Sequence, residues 1–409
     1  MNYIELNNQV IIRDENGKYQ LNKDKEALKS YLEDYIEPKM KKFDNLNDRL
    51  NYLVENDYYS KEILDLYDQY VIDVIYDFIR AKNFKFQSYM SASKFYQNYA
   101  LKSNDGEEIL ENYEDKVLIV ALTLGNGEPK LAKDIAEKLI NQEFQPATPT
   151  FLNAGRARGG KMVSCFLVNV EDSCEGISYA VSSANHLSKI GGGVALNLTR
   201  LRASGESIKG IKGAAGGVMG VAKLLEQSFS YFNQMGARQG AGAVYLNVLH
   251  PDFETLLDSK KINADEKIRL TTLSIGAIIP DKFMELAEKN EKCYAFYPHS
   301  IYQKYGVHLD GIKMDEWYDK LANDDEIEKK EINPRELLTR IAQTQQESGY
   351  PYVVFIDSAN EQHTLKDVGM IKMSNLCCEI FQYQTPSDIK GYGQVSDWGQ
   401  DISCNLGSL

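Results

Sequence analysis

The chain has 409 residues, 43% hydrophobic and 26% charged, which is the composition of an ordinary globular protein and not of a disordered one. Its net charge of −13 disfavours wrapping of duplex nucleic acid, which needs a basic face, but permits binding of a single nucleotide. With no apolar run long enough to span a membrane and no secretory signal at the start, we expect a cytoplasmic protein whose six cysteines are mainly reduced.

Residues 1–145 are predicted to form a helical domain, in a chain long enough for two or three domains. Apolar residues recur with helical spacing in four segments: Lys25–Tyr35, Ser60–Phe78, Gly106–Leu124 and Lys130–Glu143. Asp105-Gly106 and Asn126-Gly127 are typical of turns. We interpret the dense tyrosines of this region as core residues, because an aromatic stripe at helical spacing is most simply buried.

Residues 146–409 have a different sequence pattern, because short runs rich in β-branched residues alternate with segments of helical periodicity. Strands are predicted at Met162–Val170, Gly193–Leu198, Ala243–Val248, Leu270–Ile279 and Pro351–Ile356. Helices are predicted at Ile177–Ser188, Gly217–Gln234, Pro251–Ser259, Asp281–Glu288 and Pro334–Ser348. The charged stretch Asp315–Glu331 is predicted to be a solvated helical insertion. The alternation is typical of an α/β domain with largely parallel strands.

The segment Lys372–Ile380 has the most chemically suggestive pattern. In a strand, Asn375, Cys377 and Glu379 would share one face, while Cys378 would point to the other face as a packing residue. An amide can hold a hydroxyl, a thiol can perform nucleophilic or redox chemistry, and a carboxylate can take a proton. A half-exposed strand that contains a cysteine by chance is the alternative interpretation.

Cys165 and Cys404 each follow a serine in an otherwise apolar run. A dithiol that cycles to a disulfide supplies two electrons, whereas a reducing compartment argues against a structural bridge. Each cysteine taken alone is more simply a buried small hydrophobe, and this is our interpretation of Cys174 and Cys293. The cysteines and the five histidines lack the spacing of a zinc site.

Three loops are candidates for phosphate binding: Pro146–Thr150, which has two threonines, and the glycine-containing Lys189–Val194 and Gln234–Gly242. Glycine lets backbone N–H groups approach an anion, and Thr or Ser adds a hydroxyl donor. None of the loops matches the P-loop or the dinucleotide fingerprint, so turns without a ligand explain them equally well. Basic residues within 197–210 suggest a polyphosphate site, with a solvated surface as the alternative.

Taken in order, these motifs resemble the large (α) subunit of class I ribonucleotide reductase, most closely class Ib. The series is Ala147–Thr150, Ser164-Cys165, Gly191–Gly193, Arg200–Ala203, Arg238–Gly242, Asn375–Glu379 and Ser403–Ser408. It covers essentially the whole chain from about Pro146 onward. The resemblance implies a helical N-terminal domain followed by the first part of a ten-stranded α/β barrel, with the radical cysteine on a loop inside the barrel.

The resemblance also implies catalytic roles at five positions. Cys377 would form the thiyl radical that removes hydrogen from the ribose 3′ carbon. Glu379 would take the proton of the 3′-hydroxyl, and Asn375 would position the ribose. Cys165 would protonate the departing 2′-hydroxyl and then close to a disulfide with Cys404 as the two electrons are delivered.

Other positions match nucleotide contacts of that family. Substrate contacts are implied for Thr148, Ser164, Cys165, Gly193, Asn375 and Glu379. Asp172 and Arg202 match the site that binds the specificity effector, a dNTP or ATP. The flexible loop that relays the identity of the effector to the substrate base corresponds to the segment with Gln234, Arg238 and Gln239.

The implied partners are ribonucleoside diphosphates, a β subunit with a dimetal-tyrosyl radical centre, a thioredoxin- or glutaredoxin-like reductant and a second α subunit. The resemblance implies no metal and no cofactor bound by the chain itself, and neither DNA nor membrane is an expected partner. No ATP-cone is evident before the helical region, so overall control by dATP is not expected.

The chain ends at Leu409, where the family continues for about half a barrel, so we expect that activity needs a C-terminal α fragment. A catalytically silent nucleotide-binding or assembly fragment is the alternative function. A cobalamin-dependent class II reductase, which uses similar cysteines, is a third.

Overall fold

The computed structural model describes residues 2–232, 239–385, 387–391 and 393–409. It divides into two compact units, one formed by Met1–Met162 with Asn405–Leu409 and the other by Val163–Cys404. Within the described residues, no helix has both the length and the apolar character needed to cross a membrane.

The first unit is built from helices. Its α-helices are α1 (Tyr3–Gln9), α2 (Asn22–Ser30), α3 (Leu46–Glu55), α4 (Lys61–Leu64), α5 (Gln69–Ala81), α6 (Tyr89–Lys94), α7 (Tyr113–Gly125), α8 (Pro129–Ile140) and α9 (Thr148–Asn153). Two π-helical segments, Tyr31–Ile36 and Phe95–Tyr99, continue α2 and α6, and a 3₁₀ turn follows at Glu37–Lys39. One short antiparallel ladder pairs β1 (Gln145–Pro146) with β10 (Gly407–Ser408). The predicted helical character of this region is confirmed.

Two predicted helices of this unit have the wrong limits. The predicted helix Gly106–Leu124 starts too early, because α7 begins only after Asn112, whose side chain accepts the N–H of Asp115 in a capping box. The predicted helix Ser60–Phe78 is interrupted, since residues 65–68 separate α4 from α5. Helix α7 is buried along most of its length and packs against α5 and α8, which places it at the centre of this unit.

The second unit contains a six-stranded mixed sheet in the order β8-β5-β4-β3-β2-β9. Its strands are β2 (Cys165–Asn169), β3 (Gly193–Asn197), β4 (Ala241–Asn247), β5 (Ser274–Ile279), β8 (Tyr352–Phe355) and β9 (Ile402–Cys404). The first five of the sheet order run parallel, and β9 runs antiparallel to β2. All five predicted strands are therefore confirmed, and so is the parallel α/β character of the unit.

Helices connect the parallel strands, as parallel pairing requires. They are α10 (Cys174–Lys189), α11 (Val218–Tyr231), α12 (Phe253–Asp258), α13 (Asp281–Lys289), α14 (Pro298–Tyr305), α15 (Met314–Ala322) and α16 (Pro334–Ser348), with a 3₁₀ turn at Leu309–Gly311. Helix α17 (Ile356–Gln362) follows the last parallel strand, β8. The prediction of a helical insertion over Asp315–Glu331 is only partly right, because its end enters β7 (Lys329–Ile332). That strand forms a two-stranded antiparallel ladder with β6 (Cys293–Phe296).

The two cysteines interpreted as buried hydrophobes differ. Cys293 is buried in β6, in agreement with that interpretation. Cys174 is exposed at the first position of α10, so the interpretation is wrong for this residue.

Gly242 of β4 lies against the ring of Phe229 in α11, and a Cβ atom at this position would overlap that ring. Gly242→Ala is therefore expected to lower the free energy of unfolding by about 1–3 kcal/mol, because the packed core cannot accept the extra carbon. Urea unfolding followed by circular dichroism measures this change. Gly220→Ala in α11, where the added carbon meets open space, is the control and should be neutral or stabilising by up to about 1 kcal/mol. Equal urea midpoints for Gly242→Ala and Gly220→Ala would contradict the close contact between Gly242 and Phe229.

Candidate active site

The two cysteines predicted to form a redox pair lie opposite each other on neighbouring strands. Cys165 is the first residue of β2, Cys404 is the last residue of β9, and the antiparallel register pairs them directly. Directly opposed residues of such a ladder have Cα atoms about 4.5–5.5 Å apart, within the span of a disulfide. Only 5% of Cys165 and 7% of Cys404 is exposed. The strands thus hold two buried cysteines with a backbone separation that a disulfide can span.

Asn375 joins this pair to Glu379, another predicted site residue of the 372–380 segment. Its side-chain Nδ2 donates to Cys165 Sγ at 3.4 Å and to Glu379 Oε1 at 2.8 Å. Its Oδ1 accepts the backbone N–H groups of Glu379 and Ile380 at 2.9 and 3.0 Å. Both hydrogens of the amide and its oxygen are used. The buried amide therefore fixes the carboxylate and one thiol relative to each other.

The residues around Cys377 form a turn, so the strand face on which Asn375, Cys377 and Glu379 would alternate is not present. The N–H of Cys378 bonds to Asn375 O at 3.1 Å, and Cys378 has a left-handed φ of 64°. Asn375 and Glu379 meet because the chain turns back, not because they alternate along a strand. The turn exposes Cys377, whereas Cys378 is half-buried with its thiol 3.5 Å from Val353 O.

Two predicted substrate contacts lie beside these groups. Gly193 is the first residue of β3 and is in register with Cys165. Its missing side chain matters, because a Cβ would stand 2.9 Å from Leu376 Cδ2 in the cysteine turn. Ser164 bonds through its backbone to Cys404 O, at 2.9 Å, and to the N–H of Gly193, at 2.8 Å. Its buried Oγ has no hydrogen-bond partner among the described residues, which leaves a hydroxyl available to a ligand.

The remaining predicted positions are distributed as follows. Thr148 belongs to the first unit, at the start of α9, where its hydroxyl shares a hydrogen bond of 2.9 Å with Tyr99. Asp172 and Arg202 are brought together: the guanidinium Nε donates to Asp172 Oδ2 at 2.6 Å. Gln239 is exposed just before β4. Gln234 and Arg238 lie outside the described residues.

Tyr245 is a site residue that the sequence reasoning missed. This residue of β4 is fully buried, and its hydroxyl donates to Asn375 O at 2.7 Å. It therefore holds the backbone of the residue whose side chain joins Cys165 to Glu379. The sequence did offer one signal for this role. Tyr245 places a phenolic hydroxyl in a mainly apolar strand, and a buried hydroxyl needs a hydrogen-bond partner.

Burial, together with nearby Cys165 and Glu379, raises the pKa of the Cys404 thiol to about 11. A thiol with a raised pKa keeps its proton at neutral pH, and only the thiolate is nucleophilic. We expect the rate of Cys404 alkylation by iodoacetamide to rise about tenfold per pH unit from about pH 7 to 10. Peptide mass spectrometry measures this rate. N-acetylcysteine, the control, levels off near the ordinary pKa of about 8.5. A plateau for Cys404 below about pH 9 would contradict the shift.

Comparison with families of known proteins agrees with this arrangement. The model described as ribonucleotide reductase, barrel domain, matches residues 163–409. The models for the ribonucleotide reductase N-terminal and all-alpha domains match residues 3–84 and 85–159. The chain therefore belongs to the ribonucleotide reductase large-subunit family. The expected architecture, a helical N-terminal region followed by the first part of an α/β barrel, is confirmed.

Particular relatives are named as α subunits. The chain is 51% identical over 407 residues to the ribonucleoside-diphosphate reductase subunit alpha of Bacillus subtilis (strain 168). It is 44% identical over 407 residues to the subunit of the same name from Mycoplasma genitalium, and 33% identical over 308 residues to that from Synechocystis. These matches cover 100%, 100% and 72% of this chain but 58%, 56% and 38% of the relatives. The chain thus spans little more than half the length of the first two.

Proposed function

We propose that this chain provides the reducing site of a ribonucleoside-diphosphate reductase α subunit, which converts ribonucleoside diphosphates to 2′-deoxyribonucleoside diphosphates. The observation that supports this most strongly is the hydrogen-bonded set at the sheet edge. Cys165 opposes Cys404, and Asn375 joins Cys165 to Glu379 next to the turn that exposes Cys377. A dithiol, a carboxylate and an exposed thiol are the groups that this reduction needs.

In this proposal Cys377, as a thiyl radical, removes the hydrogen atom from C3′ and later returns it. Glu379 takes the 3′-hydroxyl proton, and Asn375 orients the ribose through its fixed amide. Replacing C2′–OH by C2′–H consumes two electrons and two protons. The thiols of Cys165 and Cys404 supply them as they form a disulfide, and one proton leaves with the hydroxyl as water. The high pKa of Cys404 suits a thiol that must hold its proton until then.

The partners follow from the same proposal. Members of this family generally work with a separate radical-generating subunit, and we propose that this β subunit holds a dimetal-tyrosyl centre. A thioredoxin- or glutaredoxin-like protein would reduce the disulfide, a C-terminal α fragment would complete the barrel, and the α subunit would act as a homodimer in the cytoplasm. Thr148, Ser164 and Gly193 would contact the substrate, the unpartnered Oγ of Ser164 supporting a role toward the diphosphate.

We further propose that Asp172 and Arg202 bind the dNTP or ATP effector, and that Gln234, Arg238 and Gln239 belong to the loop that relays its identity. In the structure Arg202 and Asp172 form an ion pair with 19% and 22% of their side chains exposed. A guanidinium that is partly open can add phosphate oxygens as bidentate partners. This accessibility supports a polyphosphate site next to the pair.

The reducing function is tested by reconstitution. The chain is combined with the C-terminal part of the Bacillus subtilis α subunit that lies beyond the matched region, with the Bacillus β subunit and with dithiothreitol, and dCDP formation from CDP is measured. We expect dCDP only when both α parts are present, because the dithiol and the radical cysteine lie in this chain. Each part alone is the control.

No dCDP, under conditions in which the full-length Bacillus α subunit is active, would contradict the enzymatic proposal. Nucleotide binding without reduction in that experiment would instead favour the alternative, a catalytically silent nucleotide-binding or assembly fragment.

A further inference from the structure

A network of buried and partly buried charges lies at the edge of the sheet opposite to the two cysteines. The cysteine pair is at the amino end of β2, whereas β2 and β3 both end at this other edge. The segments that follow the two strands form two ion pairs side by side. Arg200 Nη1 lies 2.6 Å from Glu171 Oε1, and Arg202 Nε lies 2.6 Å from Asp172 Oδ2. The second of these, Arg202 with Asp172, is the pair proposed above to bind the effector.

Asp310 extends this network away from the effector pair. Arg200 Nε donates to both carboxylate oxygens of Asp310, at 3.0 and 2.9 Å. Asp310 is also 4.0 Å from the ammonium of Lys372, whose side chain is only 10% exposed. Among the described residues this ammonium has no hydrogen-bond acceptor. A buried cation with one counter-ion depends on that counter-ion for its position, because an unpaired buried charge is costly.

The contact between Lys372 and Asp310 is adjustable. Both side chains line a cavity of about 20 Å³, which is room for roughly one water molecule. The cavity gives the ammonium room to move toward the carboxylate or away from it, while the backbone of Lys372 stays between buried neighbours. Arg200 competes for the same carboxylate, so any shift of Arg200 changes the field at Lys372.

Lys372 lies within the buried segment that leads to the cysteine turn. Ile371, Met373 and Asn375 are each at most 1% exposed. Ile371 is bonded through its N–H and its carbonyl to Asn360, at 2.7 and 3.0 Å. Close-packed segments transmit small displacements because they have no free volume to absorb them. A shift at Lys372 is thus carried along the backbone toward Asn375 and Cys377.

We propose that Lys372, Asp310 and Arg200 are positioning residues that couple the Asp172–Arg202 pair to the Cys377 turn. The inference rests on the proposed function, in which that pair binds the effector. Effector phosphates compete with Asp172 for the guanidinium of Arg202. The resulting shift of residues 200–202 alters how Arg200 shares Asp310, and Lys372 follows with the segment attached to it. Two distinct sites then affect each other through one shared carboxylate, which is what coupling requires.

The coupling is measured on the full chain with dTTP as the probe. Equilibrium dialysis gives its Kd, and peptide mass spectrometry gives the rate of Cys377 alkylation by iodoacetamide with and without saturating dTTP. In the unmodified chain we expect dTTP to change that rate at least about fivefold. Lys372→Met should reduce the change to less than about twofold while the Kd stays within about threefold. Lys372→Arg, which keeps the cation, should restore at least half of the response.

Lys366→Met is the matched control, because it removes an exposed lysine from the same stretch of chain and should behave like the unmodified protein. Lys372→Gln provides a second test should Lys372→Met not give the native circular dichroism spectrum. A full response in either folded Lys372 variant would overturn the inference, as would dTTP binding without any effect on Cys377. Absence of dTTP binding to the unmodified chain would overturn the effector proposal itself and the inference with it, so the two failures are distinct.

Discussion

Cys377→Ser is expected to lower dCDP formation by at least about 10³-fold in the reconstituted enzyme, the scale seen when an essential reacting group is removed. The reason is chemical: the O–H bond of serine is stronger than the S–H bond of cysteine, so the hydroxyl cannot replace the thiol as the source of a radical. Initial rates of CDP reduction measure the loss. Because the side chain lies on an exposed turn, the substitution should leave the fold and the affinity for dTTP unchanged.

The neighbouring cysteine is the matched control. Cys378 is half-buried, its thiol lies 3.5 Å from Val353 O, and burial raises its pKa. Cys378→Ser should therefore retain activity within about threefold, since it alters packing and not the reacting thiol. Equal losses in the two variants would contradict the assignment of Cys377 as the radical site.

Glu111→Gln is expected to lower the free energy of unfolding of the helical unit by about 3–5 kcal/mol, the cost of breaking a buried ion pair from one side. The carboxylate is fully buried, lies 2.9 Å from Arg156 Nη2, and accepts the Leu101 N–H at 2.8 Å and the Tyr59 hydroxyl. The neutral amide would leave the guanidinium of Arg156 buried without its counter-charge. Urea unfolding followed by circular dichroism measures the change.

The pH dependence of this effect has a definite sign. Burial raises the pKa of Glu111, but the charges of Arg156 and Lys116 and the hydrogen bonds from Tyr59 and Leu101 together lower it more, so the net pKa is below the ordinary value. The ion pair therefore stabilises the fold fully above the unfolded pKa of about 4.3, and that stabilisation is lost as the pH falls through the folded pKa. The difference in the free energy of unfolding between the unmodified chain and Glu111→Gln should shrink toward pH 3. Exposed Glu107→Gln is the control and should change stability by less than about 0.5 kcal/mol; a comparable effect there would contradict the prediction.

The sequence predicted the strands of the sheet better than it predicted the local structure around Cys377. Strand β4, for example, was predicted at Ala243–Val248 and lies at Ala241–Asn247, because a mainly apolar run is enough to locate a buried strand to within two residues. The turn at Cys377 has the same alternation as a strand, but its geometry comes from the bonds between the amide of Asn375 and the backbone of Glu379 and Ile380. No periodicity encodes such bonds, because they depend on what surrounds the amide.

What the sequence alone determined is the class of protein, because motifs such as Ser403–Ser408 are local strings of residue types; from the same motifs it also proposed which groups react. Only the tertiary structure decided which of these groups meet. Cys165 and Cys404 are far apart in the chain and become neighbours through the antiparallel register of β2 and β9. Likewise, Asp310 joins Arg200 to Lys372 only because the sheet brings their segments to one edge. Long-range pairing of this kind depends on the packing of the whole unit, which a pattern of residue types does not specify.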